Sequence, residues 1–205
     1  MEYGHHLIDM SILENIKSYI KSIQKRDPAA SSILIVLLTY PCVKSVFFHL
    51  VAHKVWNINL YIIARMISQL SRFLTGIEIH PAAKIGKNLF IDHGMGVVIG
   101  ETAEIGNNVT LYHGVTLGGI SPAVKSSEQI GIKRHPSISD DVIIGSGAQI
   151  LGPIKVGVCA RIGSNAVVTK NVVKGAIMVG VPAKNIAKKE ITNKVFAPYG
   201  VTDEK

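Results

Sequence analysis

The sequence predicts an α+β protein, in which an N-terminal α-helical domain precedes a left-handed parallel β-helix of hexapeptide repeats with one ejected loop. Three observations carry this assignment: an aliphatic residue at every sixth position over 79–168, helical spacing of apolar residues before it, and only 6 % aromatic residues in 205. A period of six fits neither an amphipathic helix nor an alternating strand. It is typical of a three-sided coil with one short strand and one turn per hexapeptide.

The repeated aliphatic residues are expected to point into the prism, where rings fit poorly, and glycine often follows them at a corner. The registers amount to roughly four coils, enough for neighbouring coils to bury a continuous core. The repeated positions are Ile79, Ile85, Ile91, Ile99, Ile105, Leu111, Leu117, Ile138, Ile144, Ile150, Val156, Ile162 and Val168.

The chain before the repeat has the spacing of helices. Apolar residues over 12–23 predict a first helix. A second, buried helix is expected over about 29–39, with Asp27 as its N-cap and Pro28 at its first position. Pro41 then begins a third helix.

A fourth helix is expected over about 60–74, ending near Gly76, a residue type that favours the position after a helix. The predicted domains are a helical N-terminal domain at 1–75, the β-helix at 76–187 with a loop at 118–137, and a C-terminal tail at 188–205.

The formal net charge of +8 indicates an anionic partner, whether nucleic acid, an anionic membrane surface or a polyanionic small molecule. No tight run of Lys and Arg with interleaved aromatics is present, which disfavours nucleic acid. Cys42 and Cys159 are expected to be reduced core thiols, as suits the cytosol. The apolar run at 33–38 is too short to span a bilayer, and no signal-peptide pattern begins the chain. We therefore expect a cytoplasmic protein without a membrane or nucleic-acid partner.

The repeat is interrupted at two places. Two extra residues lie between Ile91 and Ile99, and a long polar stretch separates Leu117 from Ile138. The long stretch is expected to form a loop ejected from one corner of the prism. Function is expected at these two places, because loops on a rigid scaffold often carry ligand contacts.

His93 lies in the first interruption, directly after Asp92. Imidazole is the usual general base near neutral pH. Glu78 lies fifteen residues upstream, which is close to a coil of about eighteen, so we expect it near His93 on the adjacent coil. Its carboxylate would hold one ring nitrogen and leave the other to take a proton. The alternative is a surface histidine at a corner, without chemistry.

Arg134 and His135 end the second interruption, and an arginine there can bind a carboxylate through two parallel hydrogen bonds. A solvated loop end is the alternative. Gly118 and Gly119 either allow a ligand close to the backbone or only shape the start of the loop. Lys184 either meets phosphates or begins a solvated basic tail.

His49 and His53 have the i, i+4 spacing of a metal pair on a helix. No acidic or cysteine third ligand accompanies them, so packed or surface histidines are the expectation and no metal site is predicted. His80 precedes a proline and is expected to be a turn residue.

At these residues the sequence resembles the serine O-acetyltransferases, the hexapeptide-repeat acyltransferases that begin cysteine biosynthesis. The resemblance spans about 27–187, and its most specific motif is IDHGMGVVIGETA. The matching stretches are DPAA at 27–30, TGIEIHPAAKIG at 75–86, FIDHGMGVVIGETAEIG at 90–106, GVTLGG at 114–119, KRHP at 133–136 and GVPAK at 180–184.

The resemblance implies transfer of the acetyl group of acetyl-CoA, a co-substrate and not a bound cofactor, to the hydroxyl of L-serine. In this family His93 matches the general base and Glu78 its acidic partner. Asp27 and Asp92 match residues that hold the amino acid, and the residues matched to its carboxylate side are Arg134 and His135. The acetyl-CoA groove is matched by Gly118, Gly119, Ala148, Gly163 and Lys184.

The resemblance also implies a homotrimer with active sites between neighbours, and leaves a hexamer open. L-cysteine is an expected feedback inhibitor, because it would occupy the serine site. Many members end in Ile, which enters the active site of O-acetylserine sulfhydrylase, whereas this chain ends in Thr-Asp-Glu-Lys. A stable complex with that enzyme is therefore not expected.

Three departures from the family pattern stand out. Cys42 replaces a frequent glycine, Ile120 replaces the usual threonine after the glycine pair, and the loop before Arg134 is longer than usual. Ile120 removes one polar contact to CoA, and the long loop bears on how Arg134 is positioned.

Three other functions fit parts of the pattern. A related acyltransferase would act on homoserine or a sugar instead of serine. A γ-class carbonic anhydrase needs three histidines around zinc, but only His93 and His113 are present and residue 118 is glycine. A non-catalytic β-helix scaffold would have no use for the charged residues that surround His93.

Overall fold

The computed structural model describes residues 12–120 and 126–187, with side chains from Glu14 onward. The polypeptide divides into two compact units, Met1–Thr39 and Tyr40–Lys205. The second unit therefore includes two helices as well as all of the strands. The tail at 188–205 lies outside the described residues, and the division at 75 and 187 remains a prediction.

The first unit contains two helices, α1 over Ile12–Gln24 and α2 over Ile33–Thr39. Ile20 and Ile23 of α1 are buried, as its spacing predicts. The prediction of a buried second helix from about residue 29 is wrong in both respects. The helix begins at Ile33, and Val36 is its only buried side chain.

The residues before α2 form a turn instead of a helical start. The Asp27 carboxylate accepts a hydrogen bond from the Ala29 N–H at 2.8 Å, so Asp27 caps this turn and not α2. The Ser32 hydroxyl accepts the Ile35 N–H at 3.2 Å, which places it at the helix start. Ser competes well for that position because its short side chain reaches the free amides of the first turn.

The second unit begins with α3 over Pro41–Asn57 and α4 over Tyr61–Thr75. Both helices confirm the sequence prediction: Pro41 stands at the start of α3, and Gly76 ends α4 with a φ of 72°. The Ser68 hydroxyl of α4 donates to the Ile79 carbonyl at 2.6 Å, and so ties this helix to the first strand.

Among the described residues, no single helix is both long and apolar enough to cross a membrane, and α2 and α3 reach that length and composition only when counted together.

The strands that follow are mostly two residues long. They are β1 Glu78–Ile79, β2 Lys84–Ile85, β3 Phe90–Ile91, β4 Val98–Ile99, β5 Glu104–Ile105, β6 Thr110–Leu111, β7 Thr116–Gly118, β8 Ser137–Ile138, β9 Ile143–Ile144, β10 Gln149–Leu151, β11 Lys155–Val156, β12 Arg161–Ile162, β13 Val167–Val168, β14 Ile177–Val179 and β15 Lys184–Asn185.

From β1 to β13, consecutive strands occupy three parallel sheets in rotation, and β14 then skips sheet B. Sheet A contains β1, β4, β7, β10 and β13; sheet B contains β2, β5, β8 and β11; sheet C contains β3, β6, β9, β12 and β14. The last strand, β15, is antiparallel to β14. The helices followed by parallel sheets confirm the predicted fold class at this level.

A connection from sheet A to sheet B is an AB corner, and one from sheet C to sheet A is a CA corner. Most corners contain four residues, but the corner at 92–97 contains two more, as the phase shift predicts. Segment 119–136 takes the place of one AB corner, and its residues 121–125 lie outside the described part. The AB corners are 80–83, 100–103, 119–136 and 152–154, and the CA corners are 92–97, 112–115, 145–148 and 163–166.

The repeated aliphatic residues form the core, as predicted, and all but the half-buried Ile85 are buried. A second buried residue stands two positions before each, and it is often small, as at Ala103, Ala148, Ala160 and Ala166. These four alanines are fully buried, so a longer side chain at these positions would overpack the core around them.

Candidate active site

His93 lies on the enlarged CA corner, which has two more residues than the other CA corners. Its backbone has a φ of 58°, in the left-handed region, and its side chain is 74 % exposed. The ring Nε2 is 3.9 Å from the Asp92 carboxylate. The Asp92 N–H donates to the Leu111 carbonyl at 2.8 Å, so the backbone beneath the histidine is fixed by the next coil.

His113 lies one coil further on the same corner. The His93 and His113 rings meet edge to face, with centroids 5.9 Å apart and planes at 73°. Sequence reasoning missed His113 as a site residue. The spacing of the two histidines could have indicated this contact. They are 20 residues apart, which is one coil of about eighteen residues plus the two extra ones.

Glu78 stands on the outer face of sheet A, next to the buried Ile79. It pairs in register with Val98, so the chain returns beside Glu78 soon after passing His93. Its carboxylate forms an ion pair with Arg72 of α4, with Nη1 and Oε2 3.1 Å apart. Within the described chain Arg72, and not His93, is therefore the ionic partner of Glu78.

Arg134 lies on an AB corner, where the segment after β7 rejoins the coil. Its Nη2 is 3.1 Å from the Glu101 carboxylate, and the side chain is 29 % exposed. A methyl group added at Gly119 would lie 3.4 Å from the Arg134 carbonyl and 3.6 Å from Nη1. The guanidinium thus sits against the start of the same segment, close to the glycine pair.

His135 is buried, with 4 % of the residue exposed. Its Nδ1 accepts the Thr102 N–H at 3.1 Å and lies 2.9 Å from the Thr102 hydroxyl. The pKa of His135 is lowered to about 4, chiefly by burial and then by the nearby Arg134 charge, while Glu101 opposes the shift. His135 is therefore neutral at physiological pH.

Five of the residues described above lie on or beside sheet A. His93 and His113 stand at the CA side of sheet A, Glu78 lies on the sheet, and Arg134 and His135 stand at its AB side. Two or three strand residues separate the two corners, so the chain advances three or four residue steps between them, roughly 10–13 Å. Within the described residues, no hydrogen bond, ion pair or ring contact joins the two histidines at the CA side to Arg134 or His135.

Asp27 belongs to the first compact unit, in which its carboxylate accepts the Ala29 N–H. Lys184 is exposed in β15. Gly118 ends β7 at the AB side of sheet A.

Ala148 and Gly163 lie on CA corners beyond His113, and both residues are buried. The Ala148 carbonyl accepts the Thr116 N–H, and the Gly163 N–H donates to Met178, so these backbone groups are already paired. The surface of the same corners is formed by Ser146 and Ser164, whose hydroxyls are 3.2 Å apart. A ligand on this corner would meet the two serines before it met Ala148 or Gly163.

The histidines of α3 pack against the first coil. The Nδ1 atom of His53 hydrogen-bonds with the Pro81 carbonyl at 2.7 Å, while His49 is buried with no partner at Nδ1 among the described residues. His80 accepts the Ala82 N–H at 3.1 Å, as a turn residue does. No group of three or more histidine, cysteine or acidic residues suited to a metal occurs in the part of the chain that the structure describes.

Curated relatives match most of the chain. The serine acetyltransferase of Staphylococcus aureus is 51 % identical over 181 residues, which cover 88 % of this chain and 80 % of the relative. That of Staphylococcus epidermidis is 52 % identical over 179 residues, covering 87 % and 80 %. No family model matches the chain.

Solved structures agree with these relatives. The Neisseria gonorrhoeae serine acetyltransferase in complex with serine is 37 % identical, with a TM-score of 0.77, and the match covers 84 % of this chain and 68 % of that one. The soybean serine acetyltransferase complexed with serine is 39 % identical, with a TM-score of 0.78 and the same coverage. The identity, the coverage and the shared fold establish that this chain belongs to the serine acetyltransferase family and is an acyltransferase of that class.

Proposed function

We propose that this enzyme transfers the acetyl group of acetyl-CoA to the L-serine hydroxyl, giving O-acetylserine for cysteine biosynthesis, with His93 as the general base. The observation that carries the proposal is the six-residue corner at 92–97. It holds an exposed imidazole at the edge of sheet A, in a chain 51 % identical to a serine acetyltransferase.

The chemistry requires a base because a serine hydroxyl does not ionise at neutral pH. His93 would take the hydroxyl proton as the serine oxygen attacks the acetyl carbonyl carbon. The tetrahedral intermediate then collapses, the carbon–sulfur bond breaks, and the leaving CoA thiolate takes the proton from the imidazolium. Hydrogen-bond donors must stabilise the oxyanion in between.

Glu78 would stabilise the imidazolium that forms. Its pairing in register with Val98 supports this role, because the chain passes His93 just before it reaches Val98. During turnover the Glu78 carboxylate would leave Arg72 and pair with the charged His93 ring. Asp92 is the other acidic neighbour of His93, and its carboxylate would bind the serine ammonium. The proposed role of Asp27 in holding the amino acid rests on the family resemblance alone.

Arg134 and His135 would bind the serine carboxylate. Serine is shorter than the roughly 10–13 Å between the AB and CA corners of one chain, so we propose that the AB corner of one subunit faces the CA corner of its neighbour in a homotrimer. Exposed apolar residues on α4, including Met66 at 67 % and Phe73 at 86 %, support a further contact, such as that of a hexamer.

Acetyl-CoA would run along the successive CA corners, from His93 past Ser146 and Ser164. Ala148 and Gly163 shape these corners by their small size, while Gly118 and Gly119 would let a ligand approach the backbone closely at the opposite edge. Lys184 and the net charge of +8 suit the phosphates of CoA. No metal takes part in this proposal.

The finer features of the fold belong to the same proposal. The coil is left-handed, and the ejected loop runs between β7 and β8, one residue shorter at each end than the predicted 118–137. Functionally, 1–75 is the helical domain, 76–187 the acetyltransferase domain and 188–205 a tail. The enzyme is cytoplasmic, and L-cysteine, which shares the ammonium and carboxylate of serine, inhibits it.

The test follows thiol release from acetyl-CoA with serine, homoserine, sugars or no acceptor, using the full chain. Serine-dependent release should fall by about 10²–10⁴-fold in His93→Ala. Lys170→Ala, an exposed change after β13 and several coils away from His93, is the control and should leave release unchanged. Thiol release with homoserine or sugars only would show that serine is not the substrate. Unaltered release by His93→Ala would show that His93 is not the general base.

A further inference from the structure

Thr102 binds the returning end of the segment after β7 through both its side chain and its backbone. Its hydroxyl oxygen accepts the N–H groups of Arg134 and His135, each at 3.0 Å. Its own N–H donates to Nδ1 of His135 at 3.1 Å. The Thr102 carbonyl accepts a hydrogen bond from the Lys133 ammonium. One residue of the preceding coil thus contacts three consecutive residues of the returning chain.

The position of Thr102 explains why one residue makes so many contacts. Regular pairing between the coils resumes only at the Glu104 N–H, which donates to the Pro136 carbonyl at 3.1 Å. Before that point the backbone amides of Arg134 and His135 have no strand to pair with. The Thr102 hydroxyl replaces a strand as their acceptor, and so fixes the direction in which the chain enters β8.

These hydrogen bonds also determine the protonation of the His135 ring. A backbone N–H can only donate, so Nδ1 must accept and carries no proton. The Thr102 oxygen already accepts two amides, which leaves its own hydrogen to donate to Nδ1 at 2.9 Å. The proton of the neutral imidazole is therefore on Nε2.

The Nε2 edge of His135 faces Gly100. A side chain at Gly100 would overlap the Cδ2 and Nε2 atoms of the ring. Within the described residues no hydrogen-bond acceptor meets Nε2. The buried, neutral ring of His135 therefore carries a free N–H donor at Nε2, on the residue directly after Arg134.

We propose that Thr102 is a positioning residue for substrate binding. It holds His135 as the Nε2–H tautomer and fixes the backbone of Arg134, so that both side chains direct donors at the carboxylate of the amino-acid substrate. This proposal rests on the proposed function for the identity of that substrate. The tautomer itself is independent of it.

The test compares Thr102→Val, which keeps the shape and removes the hydroxyl, with Thr102→Ser, which keeps the hydroxyl. In Thr102→Val the KM for serine should rise about five- to tenfold, with the KM for acetyl-CoA unchanged. Thr102→Ser should bind serine nearly as well as the wild type. Equal KM values for serine in all three proteins would overturn the proposal, as would a parallel rise of both KM values in Thr102→Val.

A spectroscopic measurement covers the case in which Thr102→Val does not fold. Nitrogen-15 NMR of histidine-labelled wild type, with His135 assigned by His135→Gln, should show a protonated Nε2 and an unprotonated Nδ1 at pH 7. A proton on Nδ1 would overturn the proposal. This readout needs no turnover, so it separates a failure of the Thr102 proposal from a failure of the proposed function.

Discussion

The Arg72 guanidinium lies 3.1 Å from the Glu78 carboxylate, and joins α4 to the first strand of sheet A. The Arg72 side chain is 57 % exposed and that of Glu78 is 25 % exposed. Exposed ion pairs contribute only about 0–1 kcal/mol. Arg72 therefore does not prevent Glu78 from pairing with a charged imidazole at His93.

The first prediction separates these two roles of Glu78. Glu78→Gln should lower kcat by about tenfold or more, because an amide stabilises an imidazolium poorly. Arg72→Met should change kcat less than about twofold, and neither change should move Tm by more than about 2 °C. The measurement is kcat at saturating serine and acetyl-CoA. An equal loss in both variants would show that the ion pair, and not the free carboxylate, is what turnover needs.

The second prediction concerns Gly100, whose missing side chain makes room for His135. Gly100→Ala should push the His135 ring out of place and destabilise the protein by about 1–3 kcal/mol, because the site is already filled. Urea unfolding of Gly100→Ala, His135→Ala and the double variant measures this. The two changes should be strongly non-additive, since removing the ring removes the overlap. Additive losses would contradict a direct contact.

The third prediction concerns the ring contact between His93 and His113. An edge-to-face contact is worth about 0.5–1.5 kcal/mol, so His113→Ala should lower kcat by about two- to tenfold through a less ordered His93. His113 lies at the surface, so Tm should stay within about 2 °C of the wild type. His113→Phe keeps an aromatic edge and should recover most of the loss. If His113→Phe is as slow as His113→Ala, the imidazole of His113 has a chemical role of its own.

The repeat was predictable because the prism imposes its period on the sequence. Each coil must bury one aliphatic residue per side, so the positions from Ile79 to Val168 identify the strands without knowledge of their partners. The enlarged corner at 92–97 was predictable for the same reason, since any departure from a strict period is visible. The beginning of α2 was not, because Asp27 and Ser32 are both good capping residues and only the folded turn shows which one is used.

The contacts of the site were less predictable, because they join residues that no local pattern relates. Thr102 and His135 are 33 residues apart, and the number depends on the length of the segment after β7. Glu78 was identified by its motif, but its ion pair with Arg72 depends on how α4 packs on sheet A. Long side chains at the surface can choose between several partners, and the sequence alone does not rank them.

The last prediction concerns the acid stability of the second unit. Burial, followed by the charge of His53, lowers the pKa of His49 to about 4, while the unfolded chain should titrate near 6.5. Between these two pH values the unfolded state therefore binds more protons than the folded state. Stability should fall as the pH drops from about 6.5 to about 4, and above about 6.5 His49 should make it no more dependent on pH. For His49 the loss amounts to at most about 3 kcal/mol.

His80 and His135 have pKa values lowered in the same direction, chiefly by burial, and add to this acid loss. The measurement is the free energy of unfolding in urea at pH 7.5 and pH 4.5, for the wild type and His49→Gln. Glutamine keeps a polar side chain but does not titrate, so the variant should lose less stability between the two pH values even if it is weaker at pH 7.5. An identical loss in both proteins would mean that His49 is protonated equally in the folded and unfolded states, and that the buried ring is hydrated after all.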